Sequence, residues 1–273
     1  MAIDLDDLTL VITANGYKAG TLYSLKPYDG TGDASVTRST TATRTNSSGL
    51  IETVSANVPR LDYTNVSCPA ILVEAQSTNL TNYSEQFDNA YWSKNNATVT
   101  ADNTTSPDGT TNADKIALGG TDLARVFKNN IATSTNNHTF SIWIKGTPGE
   151  SVTIEADSTK NQIALTSTWT RHEVTNTNGE TQTTIRIINR GTDGDNATDI
   201  YVWGAQLEEG STRSSYIKTE ATSVTRNADV IEVSGLTGTS TLTETFEDDT
   251  TNVISNPSTY TMSNGRIKKV ERT

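Results

Sequence analysis

The chain has 273 residues, of which 33% are hydrophobic and 19% charged, with a formal net charge of −11 and an isoelectric point of about 4.7. No basic stripe is available to neutralise phosphates, which excludes nucleic acid as a partner, and no apolar run approaches the length of a membrane-spanning helix. The charged fraction is too low, and apolar alternation too persistent, for a disordered chain; abundant Thr, Asn, Ser and Gly fit strands joined by turns.

The first residues, "MAIDLDDLTLVI", are acidic and lack the positive n-region of a secretory signal. The single cysteine, Cys68, cannot form an intrachain disulfide and reads as a small buried hydrophobe, which predicts folding in a reducing cytosol. The Asn65, Asn96 and Asn196 sequons then read as by-products of composition. "LTLVIT" reads as a strand and "ANG" as the turn after it. A long polar stretch follows, "DGTGDASVTRSTTATRTNSSGLIETVSANVPRLDY", which has little to bury by itself. It reads as an extended arm that gains order against partner chains, with a disordered linker as the alternative. "CPAILVEAQ" is the strand expected to anchor that arm, so residues 1–80 form an N-terminal arm and β region.

Residues 81–226 carry the strongest alternation. "SEQFDNAYW" predicts one turn of helix with Ser84 as N-cap. In "HTFSIWIKG", His138, Phe140, Ile142 and Ile144 share one face and Trp143 lies opposite. "SVTIEAD", "NQIALTS", "WTRHEVTNT" and "TTIRIINR" follow, and turn signals between these short strands predict a sandwich or barrel. In the closing strand, "DIYVWGAQL", strict alternation sets Tyr201, Trp203, Ala205 and Leu207 against Ile200, Val202 and Gly204. Residues 227–273 read as a small C-terminal unit of three or four strands, with Asn264-Gly265 as a hairpin signal.

Two long motifs rise above composition: "TRTNSSGLIETVSANVPRLDYTN" running on through "CPAILVEAQ…NAYW", and "VWGAQLEEGSTRSSYIKT" with "VTRNADV" just after it. Across about Thr37 to Val230 they resemble tailed-bacteriophage virion proteins of the tail-fibre and head-spike or head-fibre kind. That resemblance implies an all-β protein: a jelly-roll β-sandwich like a carbohydrate-binding module, an extended N-terminal arm that anchors to the virion, and a small C-terminal β-hairpin unit. It further implies a homotrimer on the virion surface that contacts capsid or tail proteins and host-surface carbohydrate. Jelly rolls of this layout often hold a structural calcium through an aspartate on the closing strand. The matching positions here are Trp203 and Gly204, an indole and a bare backbone, so this resemblance supplies no ligand there, and Trp203 is expected to plug the sandwich edge instead.

Candidate chemistry is sparse. Asp193, Asp195 and Asp199 in "GTDGDNATD" alternate as Ca²⁺ ligands do, without the EF-hand spacing, and an ordinary solvated turn is the competing reading. The pairs Asp6-Asp7, Glu208-Glu209 and Asp248-Asp249 are adjacent on the chain, so on a strand they point to opposite faces and cannot flank one glycosidic bond. His138 and His172 lack the neighbours of a zinc site, and no G-x-S-x-G elbow supports a serine triad. Aromatic rings are the sugar platforms to consider: Tyr91-Trp92, Trp143 and Trp169, with Trp143 and Tyr91 taken as glycan contacts and Trp92 as structural. Adhesion without turnover is the primary reading; a capsid decoration protein and a glycan depolymerase are the rivals.

Overall fold

The computed structural model describes residues 8–25, 33–64, 68–119, 121–236 and 240–273. Those residues form strands, turns and two 3-10 turns, Ala14–Gly16 and Gly191–Asp193, with no α-helix among them. The protein is all-β. Asn65 and the Asp6-Asp7 pair lie outside the described residues. The chain divides into two units: Ser77–Thr225, and Met1–Gln76 together with Arg226–Thr273.

Ser77–Thr225 is a jelly-roll sandwich of two five-stranded antiparallel sheets. One runs Ser93–Asn95, Arg125–Ala132, Gln182–Ile188, Ser151–Ala156, Thr159–Ala164. The other runs Thr98–Thr104, Ala113–Ala117, Asp199–Glu209, His138–Gly146, Thr170–Asn176. Phe140, Ile142, Ile144, Ile200 and Val202 of the second sheet share one core with Val126, Val152, Ile154, Ile185 and Ile187 of the first. At about 25 cal/mol per Å² of apolar surface removed from water, this core is the sandwich's main stabilising term.

The closing strand departs from strict alternation. Ile200, Val202, Ala205 and Leu207 all enter the core, whereas Trp203 pairs with Trp143 on the outer face. The register shifts there: Ser141 opposes Gln206, but Trp143 opposes Trp203. Gly204, at φ +69°, is the extra residue, and a bulge of this kind reverses which positions face inward. No other residue fits easily, since a Cβ at Gly204 would lie 2.9 Å from Trp143 Cε3. Trp203 therefore occupies the central strand of its sheet, not an edge.

"SEQFDNAYW" is a run of tight turns, not a helical turn: Gln86 N–H donates to Tyr83 O, Asn89 N–H to Gln86 O, and Trp92 N–H to Asn89 O. Ser84 does not cap it; its Oγ exchanges a hydrogen bond with the Tyr216 hydroxyl at 2.7 Å.

The ends of the chain fold with each other. Leu10–Thr13 pairs with Gly265–Arg272, which also pairs with Ala70–Val73 and Thr241–Phe246. Ser35–Thr37 pairs with Val230–Val233. Among the described residues, sixteen buried ones form this unit's apolar core, eight from before Gln76 and eight from after Arg226. An extended arm at one end and a separate hairpin unit at the other are thus replaced by one composite unit. The Asn264-Gly265 turn leads into a strand that pairs with distant segments, not back onto Tyr260–Thr261, which pairs with Val230–Val233. Cys68 is exposed rather than buried.

The polar stretch from 35 to 62 is held by strand pairing and by buried charge. Arg38, Arg60 and Arg226 are fully buried and converge on Asp229, itself buried, and on Glu74. The Arg38 Nη1 lies 2.6 Å from Asp229 Oδ1, and its other donors reach the Thr40, Val58 and Ser55 carbonyls. Arg60 Nη1 donates to Thr43 O at 3.0 Å. A segment with few apolar side chains becomes ordered because buried guanidinium groups bind its carbonyls. Desolvation of these ions makes the cluster costly to break at one partner.

Candidate functional site

The outer face of the sheet containing Asp199–Glu209 has two halves of different character. In one half the closing strand's indole is covered. Trp203, Trp143 and Tyr216 pack together, with ring centroids 5.1 Å apart for Trp143–Trp203 and 4.6 Å for Trp203–Tyr216. The Arg171 guanidinium lies 4.3 Å over the Trp143 ring, and its Nη1 and Nη2 donate to Ser214 O at 2.8 Å and Ser141 Oγ at 3.0 Å. Gln206 Nε2 donates to Glu208 Oε1 at 2.6 Å, and Glu208 also accepts from Ser214 Oγ and Ser77 Oγ. Burial, then the neighbouring Glu85 carboxylate, pushes the Tyr216 phenol well above its ordinary value. This half is a finished internal layer.

Trp143 belongs to that layer. It is buried, with its ring engaged by Trp203, Tyr216 and Arg171. It offers no free ring face to a sugar, so its role is packing. Tyr91 is half-buried against the sandwich core, edge-on to Trp92 at 5.5 Å and with Lys128 Nζ 4.5 Å over its ring.

The second half of the face is open. Strand register aligns Thr100 with Lys115, Lys115 with Tyr201, and Tyr201 with Lys145 across four strands. Trp169 enters from just before Thr170–Asn176, one edge of the sheet, and its Nε1 donates at 2.9 Å to Thr105 O, which follows Thr98–Thr104 at the other edge. Lys145 Nζ lies 4.7 Å from the Trp169 centroid and 5.5 Å from that of Tyr201. Tyr201, Lys145 and Trp169 are each partly exposed. Lys115 is ion-paired with Asp199 at 2.9 Å beside Tyr201. The result is a strip of two aromatic rings around an ammonium, flanked by hydrogen-bonding groups. Trp169 was legible as a sugar platform; Tyr201 and Lys145 were not, because only strand register brings them beside it.

The three loop aspartates do not meet. Asp193 pairs with Lys160 at 2.5 Å, Asp195 accepts from Gln162 Nε2 and Arg190 N–H at 2.9 Å each, and Asp199 pairs with Lys115. Among the described residues no three His, Cys, Asp or Glu side chains gather as a cation site. The Ca²⁺ expectation is corrected accordingly, because each carboxylate is already matched to a different donor. Of the acidic pairs, Glu208 is buried in the Ser and Gln network while Glu209 accepts from Ser134 and Asn136 on the surface. Asp248 caps its own turn through Thr250, and Asp249 pairs with Lys268. His138 is buried, and burial followed by the charge of Arg213 lowers the pKa of His172.

No model of a known protein family matches the chain, and no curated protein matches it in sequence. Solved structures overlap it at low similarity. One is a candidate sugar-binding protein from Bacteroides thetaiotaomicron, 12% identical, with a TM-score of 0.32, covering 48% of this chain and 95% of that one. Another is the tandem CBM22-1–CBM22-2 domain of Paenibacillus barcinonensis Xyn10C, 11% identical, with a TM-score of 0.38, covering 72% and 84%. A third is the CBM22-1–GH10 part of Clostridium thermocellum xylanase 10B complexed with xylohexaose, 9% identical, with a TM-score of 0.34, covering 51% and 29%.

Proposed function

We propose that the chain is an adhesive surface protein of a tailed-phage virion, a head fibre or spike or a tail-fibre-like appendage, that binds glycan without turning it over. The binding half of this reading is carried by one observation: the partly exposed Tyr201–Lys145–Trp169 strip on the open half of the sheet's outer face. A pyranose presents apolar C–H faces that stack on such rings, and its hydroxyls need nearby polar groups to fix their orientation. Lys115, Asp199 and the Thr105 carbonyl supply them. The virion half rests on the resemblance of the Thr37–Val230 motifs to phage fibre and spike proteins. In that setting the composite terminal unit is the attachment piece, the chain assembles as a trimer, and avidity from many copies raises weak single-site affinity.

Retention on host-surface polysaccharides in affinity electrophoresis tests the binding half. Trp169→Ala and Tyr201→Ala are each expected to weaken retention about tenfold, a change of about 1.4 kcal/mol. Trp143→Ala should act through stability instead. Undiminished retention by both variants at the strip sinks the assignment. Absence of any glycan binding, together with virions that lose stability when the protein is removed, favours a capsid decoration role.

A further inference from the structure

We infer that the strip is selective for acidic saccharides, with Lys145 as the group that reads the sugar carboxylate; this deepens the glycan-binding reading above and rests on it. The chain is acidic overall, at −11, and five of the nine lysines among the described residues are paired with carboxylates in place. Lys115, Lys160, Lys218, Lys268 and Lys269 each lie within 3.0 Å of an Asp or Glu oxygen. Lys145 has no carboxylate partner among the described residues; its ammonium lies between the Trp169 and Tyr201 rings. Burial there lowers its pKa, so the charge is partly stripped of water before any ligand arrives.

A partly desolvated, unpaired ammonium on a binding face favours an anion over a neutral ligand. The ammonium's hydrogen bond to water or to a hydroxyl is charge-assisted from the donor alone, so exchanging one for the other recovers little, whereas a carboxylate adds the attraction of an opposite charge at the same contact. The two rings fix where that carboxylate must sit. A uronic acid stacked on Tyr201 or Trp169 can bring its C6 carboxylate to Lys145, while the ring hydroxyls face the Lys115–Asp199 pair. The surrounding negative charge repels polyanions at long range, so selectivity depends on this local contact.

Polygalacturonate, hyaluronan and alginate, each beside its carboxyl-reduced form, test the inference with the full chain. At least one acidic polymer should retard the protein about tenfold more strongly than its reduced counterpart. Lys145→Met keeps an apolar stem between the rings and should bring retention by the acidic polymer down to that by its reduced form. Equal retention by an acidic polymer and its reduced form overturns acidic selectivity and leaves the glycan reading standing. A preference that survives in Lys145→Met overturns the role of Lys145. Failure to bind any of the six polymers overturns this inference, and the glycan reading falls separately if host polysaccharides are also not bound.

Discussion

The sandwich and the composite terminal unit are both built from strands, but different forces join their pieces. In the sandwich, Ile, Val, Phe and Leu from eight of the ten strands meet in one apolar layer, and polar groups remain mostly on the outer faces. In the terminal unit the apolar core is smaller and assembled from both ends of the chain, while the polar segment 35–62 is tied in by Arg38, Arg60, Arg226 and Asp229. Apolar burial tolerates small changes by repacking. An ion cluster does not, because removing one member strands the others without solvent or counter-charge. The same difference explains how a stretch with so little to bury nonetheless folds.

Breaking the cluster should have the largest effect. Asp229→Ala leaves three buried guanidinium groups facing one remaining carboxylate, Glu74, and is expected to cost about 3–5 kcal/mol. All four tryptophans, Trp92, Trp143, Trp169 and Trp203, lie in Ser77–Thr225. Hydrogen exchange should therefore report lost protection in 35–62 while tryptophan emission stays close to that of the parent. A concurrent red shift in emission would show that the two units do not respond separately. The matching blow to the sandwich is Gly204→Ala. It forces a side chain into φ +69° and against Trp143, at an expected cost of about 2 kcal/mol, and here emission should change while 35–62 keeps its protection. Unchanged thermal stability in that variant would mean the bulge can relax without its glycine.

Different parts of this contrast were visible in the sequence to different degrees. The period-2 alternation of Phe140, Ile142 and Ile144 reveals a core-facing strand because inward positions of a regular strand must be apolar. The same rule fails at Trp203 and Ala205, since one bulged residue shifts the phase and a glycine alone does not announce a bulge. The motifs around Arg38, Arg60 and "VTRNADV" stand out as motifs, yet their purpose depends on contacts across 191 positions of chain, from Arg38 to Asp229. Without that contact, a polar stretch reads as an unpartnered arm. The candidate site follows the same logic: an isolated Trp169 suggests a sugar platform, but Lys145 and Tyr201 join it only through cross-strand register.

Acid should separate the units by the sign of their response, with an effect no larger than that of Gly204→Ala. In the sandwich, Asp114 opposes the core residue Val202, and burial pushes its carboxyl from 3.8 up to about 6, despite hydrogen bonds from the Asp102 and Phe87 N–H groups. The folded sandwich thus holds this proton more tightly than the unfolded chain. The stability it brings is complete below the unfolded value of 3.8 and is lost as pH rises through about 6. In the terminal unit, burial also pushes Asp62 up, but donors on Thr64, Thr45 and Arg266 outweigh it and hold the carboxyl below 3.8. Its stability is present above 3.8 and is lost as pH falls through that depressed value. His172 opposes Asp114 within the sandwich, because its depressed pKa makes the folded state lose stability as pH falls below 6.5. A His172→Gln background removes that opposition. There, lowering the pH from 7 to 4.5 should stabilise the tryptophan-reported transition by about 2 kcal/mol. Protection of 35–62 should hold across that window and decline only in stronger acid. Asp114→Asn should flatten the sandwich's response, and a sandwich that instead weakens steadily from pH 7 to 4.5 would show that the two N–H donors, rather than burial, govern Asp114.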